Sequence, residues 1–285
     1  MVYYYAYTGH KIGLERAKRG SAMIKALIAS GFEAQMLVND FRAGIAMKEQ
    51  GVENYVTVET VQDIDAIASM GDVVIIDSPE DHRGRLEKYC SEYKEVFRFA
   101  EHAQDRVCYD EIIIKASCEE EGCIDAVIVD DVYFEKQEKK ERLLFFFGDA
   151  DYDKTVLNHK DFFQVFNMEL LLGYYFFLKY ETELTTYFSV LHEPEYYTEL
   201  LQSSSTVVTA SGQTALEAKV SGAKVIYMDL GKSMIYPTEL LLTYGITVVK
   251  GFDMEALKMA LASEAPPAER GISRFDINKI VSYNQ

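Results

Sequence analysis

The feature that most constrains this chain is an alternation. Short, nearly continuous apolar runs are separated by segments with helical spacing, and the pattern is laid out once and then again. Residues 207–230, VVTASGQTALEAKVSGAKVIYMDL, show it best. An apolar strand breaks at Ser211-Gly212, becomes an Ala-rich helix, breaks again at Ser221-Gly222 and returns to strand. Runs such as VYYYAY (2–7) and DVVIID (72–77) do not alternate with polar residues. A strand that is apolar on both sides needs cover on both faces, the condition of a parallel sheet between helical layers.

Read in order, the first half gives a strand at 2–7, a helix at 16–31 stopped by Gly31, and a strand at 33–38. A helix at 64–70, a strand at 72–77 and a helix at 82–93 follow. VFRFAE (96–101), EIIIKA (111–116) and AVIVDDVYF (126–134) read as extended. EKQEKKER (135–142) has no apolar periodicity and reads as a linker or a solvated helix end, at the surface either way. After it, LLFFFGDADYDK (143–154) is strand then turn, and helical and extended segments run through YYFFL and YFSVL. EPEYYTELLQ (193–202) reads as helix, TVVTA (206–210) as strand, and helices are expected near 237–245, at 253–263 and in the tail at 275–284.

The fold class expected is therefore α/β, with two doubly wound parallel-sheet, Rossmann-like domains facing across a cleft. The boundaries read as 1–134, a linker at 135–142, and 143–285. In such sheets ligands bind beyond the carboxyl ends of the strands.

With 48% hydrophobic residues a core can form. The formal net charge of −17 repels a nucleic-acid backbone and an anionic membrane, so neither is expected as a partner. A small anion held by local dipoles is still compatible. Cys90, Cys108, Cys118 and Cys123 form no CxxC pair and read as reduced thiols. MVYYYAY has no signal-peptide pattern, and the apolar run at 170–180 is too short and tyrosine-rich to span a bilayer. A cytoplasmic protein is expected. The sequence does not speak to oligomeric state.

Four stretches carry candidate chemistry. In SGQTALEAKVSGA, Gly212 permits a tight turn, and the first-turn N–H groups with the helix dipole favour a diphosphate. Glu217, three residues after Thr214, has a carboxylate suited to a ribose diol, or closes a capping box with Thr214. In FFFGDADYDK, Gly148 and Asp149 end a strand, with Asp149 or Asp151 alternatively capping a helix. In YTGHKIGLERAKRG, His10 is the one group with a pKa suited to proton transfer, or else a turn histidine in solvent. Asp77 ends DVVIID, placed at a cleft rim to orient a base or a sugar hydroxyl, or capping the turn at Ser78-Pro79.

A strand, a Gly-bearing turn, T-x-x-E in an Ala-rich helix, then a second Gly and a strand resembles the nucleotide-sugar site of GT-B-type enzymes. The nearest likeness is to the UDP-sugar hydrolases of pseudaminic acid biosynthesis, and a more distant one is to the peptidoglycan N-acetylglucosaminyltransferases. The resemblance implies nucleotide contacts for Ser211, Gly212, Gln213, Thr214 and Glu217, and a phosphate-facing loop at Gly148 and Asp149. TGH at 8–10 is similar to the His-bearing loop of the transferases. IGLERAKRGSAMIKAL is similar to the hydrolases' loop and first helix, with Glu15-Arg16 standing where that family has Gly-His. Arg16 cannot serve as a general base. It pairs with an anion, as does Arg19, which matches a family arginine. Asp77 matches the strand-ending Asp of the hydrolases.

The function implied is a UDP-sugar-processing enzyme of bacterial surface-glycan biosynthesis, either hydrolase or glycosyltransferase, with His10, Arg16 and Asp77 as the catalytic group. The alternative is a binding protein that has lost the family histidine. No cofactor or metal is expected, since helix dipole and arginine neutralise the diphosphate.

Overall fold

The computed structural model describes residues 1–102, 104–176, 180–231 and 236–281. The chain divides into two compact units: Met1–Gly9 with Arg16–Asp130 and the tail from Arg274, and His10–Glu15 with Asp131–Ser273. The short segment His10–Glu15 thus belongs to the second unit and the tail to the first.

Among the described residues the first unit holds seven strands: β1 (Val2–Ala6), β2 (Ala34–Val38), β3 (Tyr55–Thr57), β4 (Val73–Asp77), β5 (Glu95–Phe99), β6 (Ile112–Lys115) and β7 (Cys123–Asp125). Their order is β3-β2-β1-β4-β5-β6-β7 and every pairing is parallel. The chain runs outward from β1 to β3, then returns to lay β4 on the other side of β1, so the sheet is doubly wound. All five residues of β1 are buried, because helices cover both faces. The tyrosines obey the period of two. Tyr3 and Tyr5 enter a core with Leu37, Val74, Leu86 and Tyr89. Tyr4 faces the other way, against α1 (Glu15–Ala29), where a Cβ at Gly20 would come within 2.5 Å of its ring. Helices α2 (Phe41–Glu49) and α3 (Arg85–Glu92) complete the layers.

The second unit holds β8 (Lys140–Phe146), β9 (Glu169–Leu171), β10 (Val190–His192), β11 (Ser204–Thr209), β12 (Lys224–Asp229) and β13 (Thr247–Lys250). The order is β10-β9-β8-β11-β12-β13, again all parallel. Short helices α4 (Thr155–Asn158), α5 (Lys160–Phe163) and α6 (Glu181–Leu184) precede α7 (Tyr197–Ser203) and α8 (Gly212–Val220). Then come α9 (Thr238–Thr243) and α10 (Met254–Ala262), while α11 (Asn278–Val281), in the tail, belongs to the first unit. One core packs Phe145, Phe163, Phe188, Val208 and Ile226. Phe145 stacks on Phe188 at 5.8 Å between centroids.

Three expectations are corrected. AVIVDDVYF is not one extended run; it is loop followed by a 3-10 turn at Asp131–Phe134. Two adjacent aspartates break the apolar period there. The charged stretch 135–142 does not stay outside the sheet, since β8 begins at Lys140 and its first residues are exposed strand. The cysteines are not all free: Cys118 and Cys123 form a disulfide across the β6–β7 connection, with Cα atoms 6.3 Å apart. Cys90 and Cys108 are free thiols, and burial pushes that of Cys90 up to about 12. Part of the helix expected around YYFFL, and the end of the tail helix, lie outside the described residues.

Candidate functional site

In the second unit the strand order reverses between β8 and β11, which pair from Thr206↔Leu143 to Thr209↔Phe146. The chain leaves these two strands for opposite sides of the sheet, so the loops beyond them diverge. That divergence is where open α/β sheets bind ligands. The two loops are those of Gly148-Asp149 and Ser211-Gly212, so the fold brings together two motifs 63 residues apart in sequence, read separately above.

The β8 loop is tightly built. Gly148 has φ +141, a conformation open to glycine. A Cβ on Gly173 would lie 2.4 Å from the Gly148 carbonyl oxygen and 2.5 Å from the Asp149 Cα. The backbones therefore touch, and no larger residue fits at 173. The Tyr175 N–H donates to the Asp149 carbonyl at 2.8 Å. Asp149 and Asp151 are both buried. Asp151 accepts from the N–H groups of Thr155 (2.6 Å) and Val156 (3.0 Å), which is the helix-start role offered as an alternative for these aspartates.

The β11 loop opens α8. Ser211 is its N-cap, accepting from the Thr214 N–H at 3.2 Å. Thr214 is thus inside the first turn, and Glu217 is too far along the helix to close a capping box with it. Instead Glu217 lies one turn beyond Gln213, whose Nε2 donates to Oε1 at 2.8 Å. The Tyr197 hydroxyl, from α7, donates to Oε2 at 2.6 Å and lies 2.7 Å from Thr214 Oγ1. Tyr236 donates to Gln213 at 3.2 Å, extending the chain of hydrogen bonds. Burial holds the Tyr197 phenol well above its ordinary pKa, and the Glu217 carboxylate adds to this. Gln213, Thr214 and Glu217 are all buried.

The segment His10–Glu15 supplies the rest. Ser211 Oγ donates to the Glu15 carboxylate, so an acid of the chain itself sits at the positive end of α8. The same carboxylate adds to the raised pKa of Tyr227 on β12, after burial as the main cause. Gly13 runs past Asp149, its notional Cβ 3.7 Å from the Asp149 Cβ. The exposed His10 ring lies 5.5 Å from that of Tyr152, and Lys11 Nζ is 4.8 Å from the same ring.

Arg16, Arg19 and Asp77 form a separate group inside the first unit. Asp77, the last residue of β4, is wholly buried. The reason is register: it pairs with Ala6 in the middle of the sheet, under α1. Arg19 holds both its oxygens, Tyr4 donates to it at 2.6 Å, and Arg16 Nε is 3.4 Å away. Arg16 also pairs with Glu101 at 2.6 Å, and Arg19 lies over the Phe99 ring at 4.0 Å. The expected residues therefore fall into a set around α8 and β8 that includes His10, and this ion cluster. Glu15, Glu101, Gly173, Tyr197 and Tyr236 were not anticipated. For Tyr197 the signal was hidden, because an apolar-spaced tyrosine in YYTELLQ reads as core.

Among the described residues no cluster of His, Cys, Asp or Glu is placed to hold a metal ion, and no helix is long and apolar enough to cross a membrane. No family model matches the chain. No curated protein sequence matches it either. Solved structures do. A spinosyn rhamnosyltransferase complexed with spinosyn aglycone aligns with TM-score 0.58 at 10% identity over 92% of each chain. The UDP-GlcNAc 2-epimerase of Methanocaldococcus jannaschii, in complex with UDP-GlcNAc and UDP, aligns with TM-score 0.52 at 12% identity over 92% of each chain. That of Neisseria meningitidis, bound to UDP-GlcNAc, aligns with TM-score 0.51 at 9% identity over 92% of this chain and 90% of that one. At such identities the likeness is one of fold. With its two doubly wound parallel sheets, this chain has a GT-B-like fold.

Proposed function

We propose that the second unit binds a nucleoside diphosphate-sugar of the UDP class at the carboxyl ends of β8 and β11, and that the protein processes it. The observation that carries this is the meeting, at the strand-order reversal, of the Gly148-Asp149 loop and the Ser211-capped α8. The diphosphate lies against Gly148, Ser211, Gly212 and Thr214, where the helix dipole favours negative charge. It displaces the Glu15 carboxylate from Ser211. The ribose diol is held by Glu217, replacing a hydroxyl or amide donor that now serves it. Support comes also from the fold, which in the Methanocaldococcus jannaschii epimerase is complexed with UDP-GlcNAc and UDP.

His10 takes the proton from the attacking water or acceptor hydroxyl, being the exposed imidazole of the segment beside Tyr152. Arg16, locked to Glu101 and Asp77, does not act as a base. In this reading Arg16, Arg19 and Asp77 shape the first unit and carry no proton. A UDP-sugar hydrolase or glycosyltransferase of surface-glycan biosynthesis is the finer reading. One observation favours a second reading, a binding protein without turnover: the residue at the hydrolases' histidine position is an arginine in a closed ion cluster.

Calorimetric titration with UDP and UDP-GlcNAc tests binding. The expected result is saturable binding that Glu217→Gln weakens about tenfold and Glu15→Gln strengthens, about tenfold being 1.4 kcal/mol. Absence of binding in both the wild type and Glu15→Gln overturns the proposal. UDP release from UDP-GlcNAc, wild type against His10→Ala, separates the enzyme from the binding protein.

A further inference from the structure

Beyond the nucleotide reading, and independently of it, one edge of the first sheet is held in an uncommon way. β6 and β7 are parallel neighbours, yet only the seven residues 116–122 join them. Parallel neighbours are ordinarily joined by a dozen or more residues, with a helix on the way. So short a connection has to turn sharply, and two of its residues do so with left-handed backbone. They are Ser117 at φ +64 and Gly122 at φ +72, the first without the freedom of a glycine. The connection also carries Glu119, Glu120 and Glu121 in succession, all exposed. Their mutual repulsion favours an opened chain. Glu120 pairs with Arg106 at 3.4 Å and Lys115 at 4.0 Å, but a half-exposed pair offsets little of this.

The Cys118–Cys123 bridge closes this connection. The Ser117 N–H donates to Asp125 Oδ1 at 2.7 Å, and the Cys123 N–H to the Glu120 carbonyl at 3.3 Å. β7 is three residues long, lies at the sheet edge and pairs with β6 from Ile113↔Cys123 to Lys115↔Asp125. Cys123 is its first residue, so the bridge fixes where the strand begins. Asp125 is its last, and the Asp125 carbonyl accepts from Lys279 Nζ of α11 at 3.2 Å. Ile280 of the same helix is fully buried. Bridge, edge strand and tail are thus joined in series. The core of Tyr3, Leu37, Val74, Leu86 and Tyr89 is built from β1, β2, β4 and α3 and stands without them.

We infer that Cys118–Cys123 is a redox-operated latch. Oxidised, it holds β7 in register and the tail against it; reduced, it frees both while the rest of the first unit stays folded. Both cysteines are partly exposed, so a small thiol reaches them. A dithiol supplies two electrons and two protons. One of its sulfurs, as thiolate, attacks the bridge and forms a mixed disulfide, and its second sulfur displaces that bond. Cys118 and Cys123 leave as thiols, and the dithiol closes to its own disulfide. The disulfide of a small thiol, itself reduced in turn, runs the exchange backwards. Once the bridge opens, the three glutamates drive the connection apart, and a three-residue edge strand has too few ladder hydrogen bonds to hold its place alone.

The test is hydrogen–deuterium exchange of the full chain under native conditions, first oxidised and then reduced with dithiothreitol, with iodoacetamide mapping of the thiols released. Reduction is expected to expose Cys118 and Cys123 to alkylation. Amide exchange should become at least tenfold faster over 116–126 and 276–281 and stay unchanged over 2–6 and 73–77. Oxidised glutathione should restore the slow pattern. Cys118→Ser combined with Cys123→Ser is expected to give the fast pattern with or without reductant. A bridge that resists dithiothreitol in the folded chain overturns the inference, as does equal exchange in the two states. So does acceleration that spreads to 2–6 and 73–77, because the bridge would then hold the whole unit and not its edge.

Discussion

Asp77 in the first unit and Glu217 in the second are both buried carboxylates, and the chain treats them in opposite ways. Asp77 is gripped by Arg19 and approached by Arg16, with Tyr4 donating to the same oxygen as one of the Arg19 contacts. Among the described residues, hydrogen bonds to the two oxygens of Glu217 come from a phenol and a side-chain amide. An ion pair in a low-dielectric interior is hard to exchange, because any replacement must carry the same charge. A hydroxyl or an amide exchanges for a ligand hydroxyl at little cost. The first arrangement therefore builds structure. The second suits a site whose donors are replaced when a ligand enters.

The largest expected effect breaks the first arrangement. Asp77→Asn leaves the guanidinium of Arg19 buried without its countercharge, while Arg16 keeps Glu101. A loss of about 3–5 kcal/mol in urea unfolding is expected. Adding Arg19→Met to that variant should recover much of it, because the uncompensated charge is then gone. A loss below about 1 kcal/mol would show that the cluster is not what holds α1 on the sheet.

The second effect tests the neutral network. Tyr197→Phe removes the donor to Glu217 without changing the shape, at a cost of about 1–2 kcal/mol near neutral pH. The pH dependence has a definite sign. Burial raises the Tyr197 pKa in the folded state above its unfolded value. Its stabilisation is thus complete below the ordinary tyrosine range and fades as pH rises through about 10. The stability gap between wild type and Tyr197→Phe should therefore narrow from pH 8 to pH 11. A gap that widens instead would mean that the phenol is not a neutral donor.

The period of the apolar runs carried most of the fold. Buried strands such as VYYYA and VVIID have no other stable use, and Gly31 and Ser211-Gly212 mark real helix ends. Strand order did not appear in the sequence, because pairing depends on crossovers that leave no local trace. The candidate loops were legible where backbone chemistry dictates residue type, as at Gly148 with its positive φ and at Ser211, the N-cap of α8. Roles were not legible where a long-range partner decides them. Asp77 reads the same whether it faces solvent or two arginines, and only the register of β4 against β1 puts it inside. Glu15 reads as an ordinary helix-start acid, yet its carboxylate meets Ser211, 196 residues away. The Cys118–Cys123 pairing was missed for a similar reason: a spacing of five fits a bridge only when the β6–β7 connection turns back as it does.

A third carboxylate sharpens the contrast at the small end of the scale. Glu95, at the start of β5, is partly buried, and its main influence is desolvation, opposed by Lys94. Its pKa is raised, so the charged form is disfavoured in the fold. The sign is the reverse of an ion-paired acid. Stability linked to Glu95 is greatest below the ordinary glutamate range, about 4.3, and declines as pH rises through the raised value. Glu95→Gln removes that decline. At pH 7 it should be slightly more stable than wild type, by about 0.3 kcal/mol once solvent screening of a part-exposed group is allowed for. Near pH 4 the two should unfold together. If Glu95→Gln is instead less stable at pH 7, then Glu95 has a charge partner in solution, and it belongs with Asp77 rather than apart from it.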